Sequence, residues 1–239
     1  AHIVSLLKRN IVVAGSHGKT TTTSLISAIF SKTKLDPTII NGGVLNSFNN
    51  SAKLGKGDWC ILESDESDGS FVKLYPTYSI ITNVDQEHMD YYKNMDNLKK
   101  LFIKFIEKTP SFGKSFICLD DKTNKEIIKK LKIKNFHTYG TDKNSQFNIQ
   151  NILQSKEFSK FDINIKLPGK KNYSIKDVKI PLLGIHNIRN ATVAAAVATT
   201  IGISSIVTKQ ALKEFKGVQR RFNKIFTFKK AIFFDDYAH

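Results

Sequence analysis

Short apolar runs rich in β-branched residues alternate along this chain with stretches whose apolar positions recur at helical spacing. The first run, residues 10–15, ends in glycine, and a helix can follow from Lys19 to about Phe30. Such runs indicate buried strands, and the longer recurrence indicates amphipathic helices. The alternation predicts an α/β fold in which helices flank a mostly parallel sheet. Further strands are predicted at residues 38–40, 59–62, 79–82 and 116–119, and helices at 95–107 and 122–131.

The pattern changes between residues 146 and 180, where apolar and polar residues alternate one by one. This predicts an additional small antiparallel portion, a hairpin or meander attached to the main sheet, with a turn at Pro168 and Gly169. After Pro181 we predict an alanine-rich helix over 187–201, and Ser204 is a plausible N-cap of a second helix. The last twenty or so residues read as two strands. Since no linker divides the chain, one domain is the simplest interpretation.

Composition narrows the possible partners. The chain of 239 residues has 37 Lys and Arg against 21 Asp and Glu, a net charge of +16, which favours anionic partners. The lysines lack the aromatic interleaving of a recognition motif, so we expect no sequence-specific nucleic-acid binding. No apolar run is long enough to cross a bilayer, and we expect no membrane insertion and a cytoplasmic protein. Cys60 and Cys118 lie inside apolar runs and are predicted to be buried thiols.

The strongest chemical signal is the sequence AGSHGKTTTT at residues 14–23, between the first strand and its helix. Backbone N–H groups at a helix start bind phosphate, a lysine neutralises phosphate charge, and a threonine hydroxyl can bind Mg²⁺. The strict phosphate-loop pattern has a glycine where this chain has Val13, so the argument depends on the flanking strand and helix. The alternative is a simple helix cap. The residues implicated are Gly15, Gly18, Lys19 and Thr20.

The second signal is the acidic sequence LESDESDGSF at residues 62–71, directly after a predicted strand. Clustered carboxylates repel one another unless cations lie nearby, and open α/β sheets bind ligands at this end of their strands. Glu63 could complete a Mg²⁺ site with Thr20, because hard cations prefer oxygen ligands. Asp65 or Asp68 could instead cap the next helix.

Polar groups also follow two later elements. In TNVDQEHMDYY, residues 82–92, His88 stands among acids and could bind a metal or a phosphoryl group, although a loop histidine can also be merely solvated. In LLGIHNIRNATVAAA, residues 182–196, Asn187 and Asn190 share a helix face and could contact a purine, or serve as a cap and an exposed polar position. The remaining candidates are the pairs Arg220-Arg221 and Asp235-Asp236.

Seven motifs, GSHGKTTTT, NGGVLNS, ESDESDGSF, TNVDQEHMDYY, GIHNIRNA, GVQRRF and DDYAH, occur in this order across nearly the whole chain. Together they closely resemble the central ATP-binding domain of the Mur ligases. The resemblance implies that residues 1–234 form this domain and that 235–239 begin a hinge. It also implies that the family's amino-terminal UDP-binding domain and most of its carboxy-terminal domain are absent here. This piece alone is therefore expected to be inactive.

The resemblance implies an ATP-dependent amide-bond ligase that uses Mg²⁺ and acts on a soluble cell-wall precursor. The motifs are most similar to those of the branch that joins L-alanine to UDP-N-acetylmuramate through an acyl phosphate. Two alternatives stay open: the branch that recycles a muropeptide tripeptide, and a nucleotide-binding module without ligase activity.

The resemblance also implies roles for individual residues. Lys19 is expected to hold the β- and γ-phosphates, Thr20 and Glu63 one Mg²⁺, and His88 a second metal beside the acyl phosphate. Arg221 is expected to contact phosphates, and Asp236 the ribose. The adenine is expected at Asn187 and Asn190. The loop residues implied in nucleotide binding are Gly15, Ser16, His17, Gly18, Lys19, Thr20 and Thr21.

Overall fold

The structure, a computed structural model, describes residues 8–47, 49–219, 223–229 and 231–235. The strands are β1 (Arg9–Ala14), β2 (Thr38–Leu45), β3 (Asn50–Lys53), β4 (Trp59–Glu63), β5 (Tyr78–Ile81), β6 (Lys114–Cys118), β7 (Phe136–Gly140), β8 (Phe147–Gln154), β9 (Ser159–Ile165), β10 (Tyr173–Ile180), β11 (Asn223–Phe228) and β12 (Ala231–Asp235). The helices are α1 (Lys19–Ser31), α2 (Met89–Tyr92), α3 (Met95–Glu107), α4 (Lys122–Lys130), α5 (Ile185–Thr200) and α6 (Ser205–Lys213), and a 3-10 turn spans Ser70–Lys73.

Ten of the described strands form one sheet in the order β10-β9-β8-β7-β6-β5-β1-β4-β2-β3. The seven adjacent strands β8-β7-β6-β5-β1-β4-β2 pair in parallel. At the two ends of the sheet, β3 pairs antiparallel with β2, and β9 and β10 pair antiparallel with their neighbours. The predicted α/β class is confirmed, and so is the antiparallel meander, which continues the main sheet instead of forming a separate layer. β11 and β12 pair antiparallel in a second, two-stranded sheet, as the sequence predicts.

Helices cover both faces of the sheet. Successive residues of β1 point to opposite sides: Val13 joins a core with α1 and α5, and Val12 joins another with α3 and α4. The alternation follows from the two-residue period of a strand. The buried alanines of α5 present little bulk, which fits its close packing beside α1. Such burial on both faces is typical of parallel sheets and explains the apolar runs that predicted them.

The local helix signals are confirmed closely. Helix α3 has the predicted bounds, and the Ser204 hydroxyl accepts a hydrogen bond from the Val207 N–H, which confirms it as the cap of α6. Helix α5 begins at Ile185, two residues earlier than predicted. Cys60 and Cys118 are buried, and burial raises the pKa of each thiol to about 11. None of the described helices has both the length and the apolar content needed to span a bilayer.

The register of the central strands brings three loops and the middle of β2 to one edge of the sheet. Val13 of β1 pairs with Glu63 of β4, and Ala14 pairs with Ile81 of β5. Because these strands are parallel, the loops that follow them leave the sheet side by side, and β2 lies next to β4. The motifs after β1, β4 and β5 and the glycine pair within β2 therefore meet at the carboxyl edge, where open α/β sheets bind ligands.

Candidate functional site

The turn between β1 and α1 depends on two glycines with positive φ angles. Gly15 has φ 128°, and a Cβ atom there would lie 2.2 Å from the Thr82 hydroxyl oxygen. Gly18, directly before α1, has φ 82°, and a Cβ atom there would lie 2.8 Å from Oδ1 of Asn190. A side chain at either position would be strained and would collide with its neighbour. The backbone therefore packs closely against α5 and the end of β5 where it enters α1, and the first N–H groups of a helix have no acceptor within the helix itself.

Asn83, which follows β5, holds the middle of this turn in place. Its side-chain amide donates to the His17 carbonyl at 3.1 Å, and its oxygen accepts from the His17 N–H at 2.9 Å. The Asn83 carbonyl also accepts from the Ser16 N–H at 3.0 Å. The Ser16 hydroxyl in turn accepts from the Asp85 N–H at 2.9 Å. These bonds extend the pairing of β1 and β5 beyond the strands and fix the turn before a ligand arrives.

Thr20 and Glu63 meet at the start of α1. The Thr20 hydroxyl donates to Oε1 of Glu63 at 2.9 Å, and the Gly42 N–H donates to Oε2 of the same carboxylate at 2.8 Å. A Cβ atom at Gly42 would lie 2.7 Å from that carboxylate, so a larger residue there would displace the Glu63 side chain from this position. A hydroxyl and a carboxylate side by side form the oxygen-rich set that Mg²⁺ prefers. The residues present thus fit a magnesium site.

Lys19 shares this cleft with Glu63 but contacts a different acid. Its ammonium group donates to the Gly15 carbonyl at 2.7 Å and to the Ser16 carbonyl at 3.1 Å, and it lies 2.9 Å from Glu66. The Glu66 side chain is only 2% exposed. Burial raises the pKa of Glu66, and the nearby Lys19 charge opposes that rise. The buried ion pair therefore fixes Lys19 at the mouth of the turn.

His88 lies in the same cleft with a left-handed backbone, φ 56°. Its Nε2 atom is 3.9 Å from Glu66, and Asp65, Glu66 and His88 bring one potential ligand atom each within 4.8 Å of one another. The acids beside His88 in the sequence point elsewhere: Asp85 and Glu87 face His17, at 3.1 and 3.6 Å. The side chains of Asp85 and Glu87 thus face the turn between β1 and α1, and the potential metal ligands beside His88 are Asp65 and Glu66.

The other acids of the second motif close their own turn. Asp68 accepts a hydrogen bond from the Ser70 N–H at the start of the 3-10 turn, and this bond with Ser70 lowers the pKa of Asp68. Asp65 accepts from the Ser67 N–H. The predicted helix cap is not found in that form, because the element that follows is a 3-10 turn whose N-cap is Gly69, without a side-chain cap bond.

Two cavities lie on either side of the turn, and His17 and Gly18 line both. The larger, about 790 Å³, contains Lys19, Glu63 and His88. The smaller, about 320 Å³, contains Asn190 and lies at the carboxyl ends of β6 and β7. We call them the phosphate cleft and the side cavity. A ligand that crosses Gly18 can occupy both.

The helix asparagines adopt the predicted arrangement. The Asn190 amide is 3.4 Å from the Asn187 side-chain oxygen, so both side chains lie on one face of α5, and Asn187 also donates to the Leu183 carbonyl at 2.7 Å. Thr21 lies in the first turn of α1 and does not line either of the two cavities. Arg221 and Asp236 lie outside the described residues, as do the predicted hinge positions 236–239.

Sequence reasoning missed three residues of the site. Glu66 was only one of four acids in its motif, and nothing local distinguishes the one that turns inward. Asn83 and Gly42 belong to recognised motifs, but neither residue type by itself indicates a role in the site. A signal for Gly42 was present, since paired glycines after an apolar run suggest a close approach of the backbone.

The sheet, the glycine-lysine-threonine turn and the Thr20–Glu63 contact define an α/β protein of the phosphate-loop class. The family model described as "Mur ligase middle domain" matches residues 13–198, which is well over half of the chain. The chain belongs to the Mur ligase family.

Individual relatives agree with this assignment. The chain is 70% identical over all 239 residues to the UDP-N-acetylmuramate--L-alanine ligase of Pelagibacter ubique, of which it covers 51%. It is 39% identical over 232 residues, 97% of the chain, to the ligase of the same name from Brucella ovis, of which it covers 49%. The chain thus spans about half the length of the curated relatives it matches.

Two solved structures are also similar. The UDP-N-acetylmuramate-alanine ligase of Thermotoga maritima aligns with a TM-score of 0.81 at 27% identity, over 97% of this chain and 51% of that one. The murein peptide ligase of Psychrobacter arcticus aligns with a TM-score of 0.78 at 25% identity, over 100% of this chain and 53% of that one. The two structures have different named activities, so the shared fold alone does not choose between them.

Proposed function

We propose that this chain is the nucleotide-binding part of a ligase that uses ATP and Mg²⁺ to join L-alanine to UDP-N-acetylmuramate. One observation carries the proposal: Lys19 and Thr20 of the first motif and Glu63 of the second line one cleft at the helix start. The identity of 70% to a ligase of that name, over the whole chain, supports the choice of substrates.

The phosphate end of ATP is proposed to bind at the start of α1. The backbone N–H groups of the first turn of a helix point out of its N-terminus, and together with the positive end of the helix dipole they favour an anion there. The Lys19 ammonium already lies at the mouth of the turn, so it can reach bound phosphates with a small movement. Before a ligand binds, hydrogen bonds to the Gly15 and Ser16 carbonyls hold the Lys19 ammonium close to the turn.

Magnesium is proposed to bind beside Thr20 and Glu63. When bound, the ion would neutralise phosphate charge and orient the phosphate chain. Glu63 is anchored by the Gly42 N–H, so the carboxylate keeps its orientation while the Thr20 hydroxyl exchanges partners. Asn187 and Asn190 are proposed to contact the adenine, and Arg221 and Asp236 the phosphates and ribose.

The chemistry follows from the family resemblance. An oxygen of the muramoyl carboxylate attacks the γ-phosphorus of ATP, the bond to ADP breaks, and an acyl phosphate forms. The amino group of L-alanine then attacks the acyl carbon to give a tetrahedral intermediate, which loses a proton from nitrogen and expels inorganic phosphate with the bonding electrons to leave the amide. This chain would contribute mainly positioning and charge neutralisation, with His88 beside the reacting group. Lys19 would stabilise charge on the phosphates.

The proposal is tested with the complete protein, UDP-N-acetylmuramate, ATP and single amino acids. We expect phosphate release that depends on L-alanine. Lys19→Ala should lower this activity about a hundredfold or more and weaken ATP binding, with an unchanged melting temperature. Lys32→Ala is the matched control, because Lys32 is an exposed lysine at the other end of α1, 2.6 Å from Glu214, and should change nothing.

Two outcomes would replace the proposal. Release of phosphate only with a preformed peptide would favour the peptide-adding activity named for the Psychrobacter arcticus structure. Nucleotide binding without phosphate release for any acceptor would favour the other alternative, a nucleotide-binding module without ligase activity.

A further inference from the structure

The side cavity is lined by an arginine that is held in position by a buried carboxylate. Arg189, on α5, donates through Nε to Oδ2 of Asp120 at 2.6 Å, and both residues line the cavity. Asp120 is only 6% exposed and accepts further hydrogen bonds from the N–H groups of Thr141 and Asp142, at 2.9 and 2.8 Å. A carboxylate held by so many donors cannot rotate freely, so it orients the guanidinium in turn.

This ion pair persists at neutral pH. Burial alone would raise the pKa of Asp120, but the hydrogen bonds from Thr141, Asp142 and Arg189 outweigh burial and lower it. Arginine keeps its charge at any physiological pH. A guanidinium has five N–H donors, and in the described part of the chain only the Nε donor of Arg189, a residue that lines the cavity, is bonded, to Asp120.

The charges around the cavity favour a neutral ligand group over a phosphate. Three carboxylates, Asp85, Asp120 and Asp121, line it together with Arg189. The positive charge of Arg189 is largely balanced by Asp120, so it offers directed hydrogen bonds and a flat stacking face more than long-range attraction. A volume of about 320 Å³ is at the small end of the range for ligand pockets, which suits part of a nucleoside.

We propose that Arg189 contacts the nucleoside end of the nucleotide whose phosphates bind at Lys19, and that Asp120 is the positioning residue that orients it. The inference rests on the proposed nucleotide binding. Its geometric basis is that the side cavity and the phosphate cleft adjoin across Gly18, so one ligand reaches both. Arg189 would then bind the base or the sugar and contribute little to holding the phosphates.

The test compares two ligands of the purified protein by calorimetry: ATP and inorganic tripolyphosphate, each with magnesium. Arg189→Ala should weaken ATP binding about tenfold and change tripolyphosphate binding less than about twofold. Asp120→Asn should have a smaller effect on ATP alone. Lys19→Ala should weaken the binding of both ligands. Lys125→Ala, which removes an exposed positive charge paired with Asp142 at 2.8 Å, is the control for long-range electrostatics and should leave both affinities unchanged.

Several results would overturn the inference. One is ATP binding by Arg189→Ala within twofold of the wild type, and another is an equal loss for both ligands. If Arg189→Ala unfolds, Arg189→Gln keeps a polar side chain of similar reach, and wild-type ATP affinity in that variant would equally reject the contact. Failure of the wild-type protein to bind either ligand would reject the proposed function itself, which separates the two failures.

Discussion

The Lys19 ammonium and the buried Glu66 carboxylate lie 2.9 Å apart, although 47 positions separate them in the sequence. Glu66 is fixed by its neighbours, since the Tyr92 hydroxyl donates to its backbone carbonyl. The pair joins the loop after β4 to the loop after β1. It places a negative charge deep in the cleft where we propose that phosphates bind.

We expect Glu66→Gln to strengthen nucleotide binding about threefold to tenfold. The buried Glu66 carboxylate repels the phosphates of ATP, and the Lys19 ammonium must weaken its ion pair with Glu66 to contact those phosphates. Removal of the Glu66 charge therefore makes the free energy of ATP binding more favourable. Calorimetric titration with ATP measures the effect. Glu214→Gln makes the same change in an exposed pair with Lys32 and should have no effect. Weaker binding would show instead that Glu66 positions Lys19 for the phosphates.

Thr20→Val should raise the magnesium concentration needed for half-maximal ATP binding about tenfold. The change removes the hydroxyl that lies 2.9 Å from Glu63 and keeps the size of the side chain. Thr23→Val is the matched control on the same helix. The buried Thr23 hydroxyl has no hydrogen-bond partner in the described part of the chain, so its loss should leave the magnesium response unchanged and the melting temperature equal or higher. Equal magnesium curves for the wild type and Thr20→Val would argue against the metal site.

Asn83→Ala should weaken ATP binding about tenfold with a modest loss of stability. The variant lacks both side-chain hydrogen bonds to the backbone of His17. The turn between β1 and α1 is then less ordered before ATP binds, and the free energy needed to order it lowers the affinity for ATP. Titration calorimetry gives the affinity, and thermal unfolding gives the stability. ATP affinity equal to that of the wild type would mean that the glycines alone fix the loop.

The stability of the protein should fall as the pH decreases from about 6.5 toward 4, in part because of His137. Burial lowers the pKa of His137 to about 4, whereas an unfolded histidine titrates near 6.5. Between these values the unfolded chain binds more protons, so acid favours unfolding. His137→Phe should reduce the loss between pH 7 and 4.5 by up to about 2 kcal/mol, measured by chemical denaturation. Parallel pH profiles for the two proteins would contradict this.

Most secondary structure could be predicted because its causes are local. The bounds of α3 and the Ser204 cap of α6 follow from helical spacing and capping chemistry. Strand β7 (Phe136–Gly140) was missed because its polar members interrupt the apolar run, and it is buried only through its place between β6 and β8. The roles predicted for Arg221 and Asp236 stay predictions, since both residues lie outside the described part.

The sequence by itself determined the segment at which we propose that phosphate binds, because glycines that permit positive φ, a helix start and an adjacent lysine are all properties of one short segment. Only the tertiary structure decided which acids face that segment. The strand order β5-β1-β4-β2 brings Asn83, Glu63, Glu66 and Gly42 to the turn, and pairing between distant strands sets that order. Side-chain direction in the loops then turns Glu66 toward Lys19 and Asp85 toward His17, and a local pattern carries no information about those contacts.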